Sequence, residues 1–359
     1  MAVDPRVTAY ATVLVERCLD VQPGWQVLIR SQPGARPALE EVMRLIARGG
    51  AYPLLRMNFS LWPTDEVWLE TAPDELAAQL SEIDRFASEH MDARITMEAP
   101  DNTRGVADLP PERRALARKA SAPFFRRTMG HEIPWVSCQF PTSALAQEAG
   151  MSVAEFETFF YDACLRDWER ESASMQRLVE RFDAGNEVRI VGEDTDLKLS
   201  LAGRSGEADD GRTNMPGGEF FYAPVEDSAE GTMLFDLPTD LEGAPVDRIR
   251  LRFSGGRVED AHAEQGEDAL LAALAIDDGA RFLGELGIGC NEGITRPARN
   301  ILFDEKMAGT VHLALGASYS HIGGKNTSSL HWDLIKDLRD GGRLELDGEL
   351  VQENGTWLI

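Results

Sequence analysis

The sequence predicts an α/β N-terminal domain with a parallel sheet, followed by a β-rich α+β C-terminal domain. Three observations carry this expectation. Helix-period and strand-like segments alternate through the first part of the chain, and such alternation implies a parallel sheet with helices on its faces. A long charged helical stretch closes at Asp183-Ala184-Gly185-Asn186, the strongest boundary signal present. Beyond it, short alternating segments separated by turn residues take over, as in hairpins. At 359 residues the chain is also long for a single core. The expected domains are therefore 1–185 and 186–359.

The N-terminal elements follow in order. Val7 to Cys18 has helical spacing, and the apolar run Gln26–Arg30 after the turn Gln22-Pro23-Gly24 reads as a strand. Pro37 to Ala47 is helical and closes at Gly49-Gly50, and Tyr52–Met57 is a second strand. Arg94–Met97 and Ile133–Gln139 continue the pattern, and Ser152 to Phe182 reads as one helical stretch without a breaker. In the second domain Glu187–Val191 and Asp196–Leu201 alternate as a hairpin. Strands follow near Glu219–Tyr222, Gly231–Leu234, Ile249–Phe253 and Arg257–Ala261. A helix over Gly266–Leu274 and a strand-like Arg281–Leu286 come next.

The net charge of −25 argues against nucleic acid and against an anionic membrane surface, both of which need a basic face. It is compatible with solubility, with cation attraction or with a salt-adapted proteome, to which the scarcity of lysine (Lys119, Lys198, Lys306, Lys325, Lys336) also points. Cys18, Cys138, Cys164 and Cys290 are widely spaced, which fits free thiols in a reducing compartment. No signal-peptide pattern or membrane-length apolar run is visible. A cytoplasmic protein is expected.

The chemistry-bearing residues concentrate near the C-terminus, where Glu285, Glu305, His312, Tyr319, His331 and Asp333 lie close in sequence. Imidazole and carboxylate are the ligands that zinc, cobalt and manganese accept, and crowded carboxylates need a countercharge. The segment reads as a dinuclear metal site. In His331-Trp332-Asp333 an extended backbone puts both side chains on one face; a helix over Leu334–Leu338 capped by Asp333 is the alternative. His312 lies in an alternating strand, where a satisfied core histidine is the commoner outcome. Glu285 sits inside an apolar, glycine-flanked strand, so either that strand is open to solvent or a cation is present. Glu219, delivered by the Pro216-Gly217-Gly218 turn, poses the same question. Lys325, in Gly323-Gly324-Lys325-Asn326, reads either as a contact to a substrate carbonyl or carboxylate or as a salt bridge. Gly287-Ile288-Gly289-Cys290-Asn291-Glu292 departs from GxGxxG at its last position, and no GxSxG is present.

The order of motifs resembles the M29 metallopeptidases, the aminopeptidase T group. The segments that carry the resemblance are Asn214–Pro224, Leu283–Asn291, Asn300–Gly316, Tyr319, Gly323–Asn326 and His331–Asp333, with Cys138–Ser152 in the N-terminal half. It covers most of the chain. It implies a two-domain, dimeric exopeptidase acting on peptides, with a C-terminal catalytic domain and two divalent ions (zinc, cobalt or magnesium) sharing a water. It further implies Glu219, Glu285, His312, His331 and Asp333 as ligands, Glu285 bridging, with Tyr319 catalytic and Glu305 the best candidate for general base. Two departures stand out: the spacer Lys306–Val311 is longer than in some members, and Phe221-Tyr222 replace small or hydroxyl residues. A binding or assembly protein that kept the metal, and a hydrolase of other amides, remain the alternatives.

Overall fold

The computed structural model describes residues 3–59, 65–105, 109–130, 132–241 and 243–359; His131 lies outside them. Contacts divide the chain into two compact units, one of residues 1–165 with 211–216 and one of residues 166–210 with 217–359.

In the first unit the strands Gln26–Ser31, Tyr52–Met57, Ala93–Glu98 and Trp135–Gln139 stand where the alternation places them. They pair only in parallel, with Gln26–Ser31 between Tyr52–Met57 and Ala93–Glu98, and Trp135–Gln139 beyond. Val27, Leu28 and Ile29 are all buried, as expected of a strand covered on both faces. The fifth strand is Asn214–Met215, parallel to Trp135–Gln139. It arrives from a segment far along the chain, so no local pattern announces it. The helix expected over Val7–Cys18 forms, its second half as a π-helix from Val13.

The stretch Ser152–Phe182 is two helices, Val153–Cys164 and Trp168–Asp183. The first starts with a capping box between Ser152 and Glu155. It stops because Leu165 leaves helical geometry (φ −97°, ψ 59°), and the Asp167 carboxylate accepts the Arg170 N–H at 3.1 Å to start the second. The two units divide in this break, between Leu165 and Arg166, upstream of the Gly185 signal. Val179 and Phe182 of the second helix join the core of the second unit.

The second unit is β-rich, and among the described residues its strands pair antiparallel. The expected hairpin forms between Glu187–Gly192 and Thr195–Ser200 and belongs to one extended sheet. A separate sheet has the order His331–Asp337, Thr310–Gly316, Leu283–Gly289, Glu219–Tyr222, Glu207–Asp209. Residues 331–337 are therefore extended, and the helix considered for Leu334–Leu338 does not form. One face of this sheet is apolar, and Phe220, Tyr222, Leu286, Ile288, Val311, Leu313, Leu315, Trp332 and Leu334 enter the core. The other face carries Glu219, Glu285, His312, His331 and Asp333. Among the described residues no helix is long and apolar enough to cross a membrane, and none of the four cysteines is in a disulfide.

Candidate metal centre

Register alone puts the predicted ligands on one sheet face. Gly289 pairs with Glu219, Gly287 with His312, Ala314 with Asp333 and Gly316 with His331. Glu285 stands two residues before Gly287, and i and i+2 share a face. The face thus alternates ligand side chains with glycine and alanine, which leaves the ligands room. At Gly287 the need is direct: a Cβ there would lie 2.0 Å from His312 Cε1. Gly218, at φ +109°, has the backbone that the turn before Glu219 requires and would meet Asn291 Cβ at 2.7 Å if it carried a side chain.

The five residues form two overlapping groups. Glu219, Glu285 and His312 make an inner, fully buried one, and Glu285, His331 and Asp333 an outer one. Glu285 belongs to both through different atoms. Its Oε1 lies 3.4 Å from His312 Nε2 and its Oε2 3.4 Å from His331 Nε2. Glu219 Oε2 lies 3.5 Å from His312 Nε2, and Asp333 Oδ1 lies 3.5 Å from His331 Nε2.

Neighbouring carbonyls orient both histidines. His312 Nδ1 meets the Glu305 carbonyl at 3.2 Å and His331 Nδ1 meets the Ala317 carbonyl at 3.0 Å. A carbonyl only accepts, so each Nδ1 carries a hydrogen, and Nε2, the nitrogen that faces the carboxylates, is the one that could bind a metal once it sheds its own proton. Glu219 Oε2 and Asp333 Oδ1 are buried without a hydrogen-bond donor. Orphaned carboxylate oxygens are costly unless a cation meets them. The donor set and these two atoms fit divalent ions.

Proton affinities reflect the crowding. Burial raises Glu219 to about 8 against the opposing pull of Lys306, and burial raises Asp333 to about 6. Burial disfavours a charged His312, yet its hydrogen bond to Glu285 and the surrounding carboxylates outweigh that and raise it to about 10. Burial also opposes ionisation of Glu285, but the same bond and the charges of both histidines hold it below the usual carboxylate range.

Tyr319 lies on the loop between the strands Thr310–Gly316 and His331–Asp337, its ring 5.7 Å from that of His331 and 5.4 Å from that of Phe221. Asp277 ties down the end of that loop, accepting from Ser328 Oγ at 2.7 Å and from the Ser329 N–H at 2.8 Å. Burial, then the nearby carboxylates, push the Tyr319 phenol well up, so it stays protonated. Glu305 follows the short helix Ile301–Asp304 and bonds the Lys306 ammonium. Lys325 is exposed, and its backbone N–H donates to Glu226 at 2.9 Å. His321 pairs with Glu207 at 2.6 Å. Sequence reasoning missed Lys306 and Asp209, both buried beside Glu219. The available signal was a lysine set between a glutamate and an apolar run.

The profile described as thermophilic metalloprotease (M29) matches residues 3–357. Aminopeptidase T of Thermus thermophilus is 27% identical over 351 residues, 86% of this chain and 83% of that one. The solved structure of wild-type AmpT from Thermus thermophilus superposes with a TM-score of 0.87 at 22% identity, covering both chains fully. A 2,5-dihydroxypyridine dioxygenase from Pseudomonas putida KT2440 superposes at 0.61 with 14% identity, over all of this chain and 98% of that one. The two superpositions establish the fold, which does not by itself fix the chemistry. The match along nearly the whole sequence does fix the family: the chain belongs to the M29 metallopeptidases, in the aminopeptidase T group, and is a metallo-aminopeptidase.

Proposed function

We propose that the chain removes N-terminal residues from peptides at a two-ion centre bridged by Glu285. The observation that carries this reading is the division of that carboxylate, one oxygen towards each histidine. Glu219 and His312 would complete the inner position, His331 and Asp333 the outer one. Two divalent ions, zinc, cobalt or magnesium, would polarise the scissile carbonyl there and bring a water between them towards a neutral pKa.

The chain's own groups do the remaining work. Glu305, half-buried beside the cluster, would accept the water proton and return it to the departing amine. Tyr319, held protonated by its surroundings, would donate to the developing oxyanion. Phe221 borders the Tyr319 ring and would form part of the wall facing the substrate. Lys325, exposed on its loop, would contact a substrate carbonyl or carboxylate. The acidic surroundings suit a substrate with a cationic α-amine. The same reading includes a homodimer. The surface that supports it is the edge strand Tyr52–Met57, where Tyr52, Leu54, Leu55 and Met57 stay exposed, since contiguous exposed apolar side chains mark association surfaces. Light scattering that finds only monomer would remove the dimer.

Metal analysis of the purified chain, paired with cleavage of an aminoacyl chromogenic amide with and without chelator, tests the function. The expected result is two ions per chain and chelator-sensitive cleavage. Bound metal without cleavage would favour a binding role, and no stoichiometric metal under replete conditions would end the metal reading.

A further inference from the structure

Lys306 has no exposed side-chain surface, in a protein with few lysines. Its backbone is fixed on both sides: its N–H donates to the Phe303 carbonyl at 3.0 Å, and its own carbonyl accepts the Asn291 N–H at 2.9 Å. The ammonium lies 3.2 Å from Glu219 Oε1 and 3.8 Å from Asp209 Oδ2, and bonds Glu305 Oε1. Asp209 and Glu219 are directly paired across neighbouring strands, where like charges repel. A buried ammonium is tolerated only among such partners.

The contact distinguishes the two oxygens of Glu219. Oε1 receives the ammonium, while Oε2 has no donor and faces His312. The ion pairs of the outer aspartate are of another kind, Asp333 Oδ1 meeting His331. We propose that Lys306 is a positioning residue that pins Glu219 through Oε1, so that Oε2 alone is offered to the inner ion, while offsetting Asp209 and Glu305 so that their flank does not compete for that ion. This rests on the two-ion reading above. A group that orients a metal ligand typically changes metal affinity about 10- to 100-fold when removed.

The test is a calorimetric and visible-absorption titration of cobalt(II) into metal-stripped wild type, Lys306→Met and Lys306→Gln, with Asp333→Asn identifying the outer event. Wild type should show two events. Lys306→Met should keep the outer event and lose at least about tenfold in inner affinity, with an altered inner cobalt spectrum. Lys306→Gln, which keeps a donor without the charge, should fall between. Wild-type affinities and spectrum in folded Lys306→Met would overturn the proposal. If circular dichroism shows that variant unfolded, Lys306→Gln decides in its place: unchanged inner affinity overturns the proposal and a weakened inner event supports it. A single event in the wild type would remove the inner position, and the role of Lys306 with it, before any substitution is read.

Discussion

The inner and outer halves of the site share Glu285 but differ in surroundings. The inner half is closed off from solvent: Glu219, His312 and Lys306 are buried, and the His312 ring lies against the bare backbone of Gly287. The outer half is open, with the His331 side chain 32% exposed and Tyr319 beside it. The difference teaches a division of labour. The inner half is set by packing, so changes there should disturb assembly. The outer half faces the substrate, so changes there should disturb turnover.

The largest effect should come from the shared residue. Glu285→Gln removes a charge from both positions; both ions should be lost and turnover should fall at least about 10³-fold, because several kcal/mol of charge stabilisation goes with them. Retention of one tightly bound ion, read by metal analysis, would break the bridging role. Gly287→Ala should act on the inner half alone. Its new methyl must displace the His312 ring, costing about 1–3 kcal/mol of stability as overpacking does. Thermal unfolding and metal content should both drop, and an unchanged inner ion would contradict the packing argument.

Tyr319→Phe should give the opposite signature in the outer half. Both ions should stay bound while kcat falls about 10²–10³-fold, the usual cost of losing an oxyanion donor; equal turnover would take Tyr319 out of the mechanism. The smallest effect is one of pH. Ligands must shed protons before a cation binds, and His312 and Glu219 hold theirs up to about 10 and about 8. Protons therefore compete more as pH falls through these values, and inner affinity should rise from pH 7 to pH 9. The Asp333 proton, held only to about 6, competes little in that window. Calorimetry in buffers of different ionisation enthalpy counts the protons released, and a pH-independent inner event would remove the distinction.

The outer half is the more legible in sequence. His331 and Asp333 stand two apart in an extended segment, and that spacing alone places both on one face. The anomaly of Glu285 in an apolar strand is readable for the same reason. The inner half depends on register across separate strands, which spacing does not reveal. The pairing of Gly287 with His312, and of Asp209 with Glu219, appears only once the sheet order is known. Lys306 reads as spacer because two of its partners, Asp209 and Glu219, stand on strands far upstream. In the first unit, local alternation marks the four long strands. It misses the Asn214–Met215 strand, which arrives from outside the pattern, and the break at Leu165–Asp167, which a side-chain cap makes without glycine or proline.

The central claim is that two ions share the Glu285 carboxylate. Anomalous scattering from cobalt-loaded crystals, recorded at the cobalt edge, tests it most directly. Two peaks are expected, one between Glu285 Oε1, Glu219 and His312, and one between Glu285 Oε2, His331 and Asp333. A single peak, or two peaks of which only one touches Glu285, would contradict it.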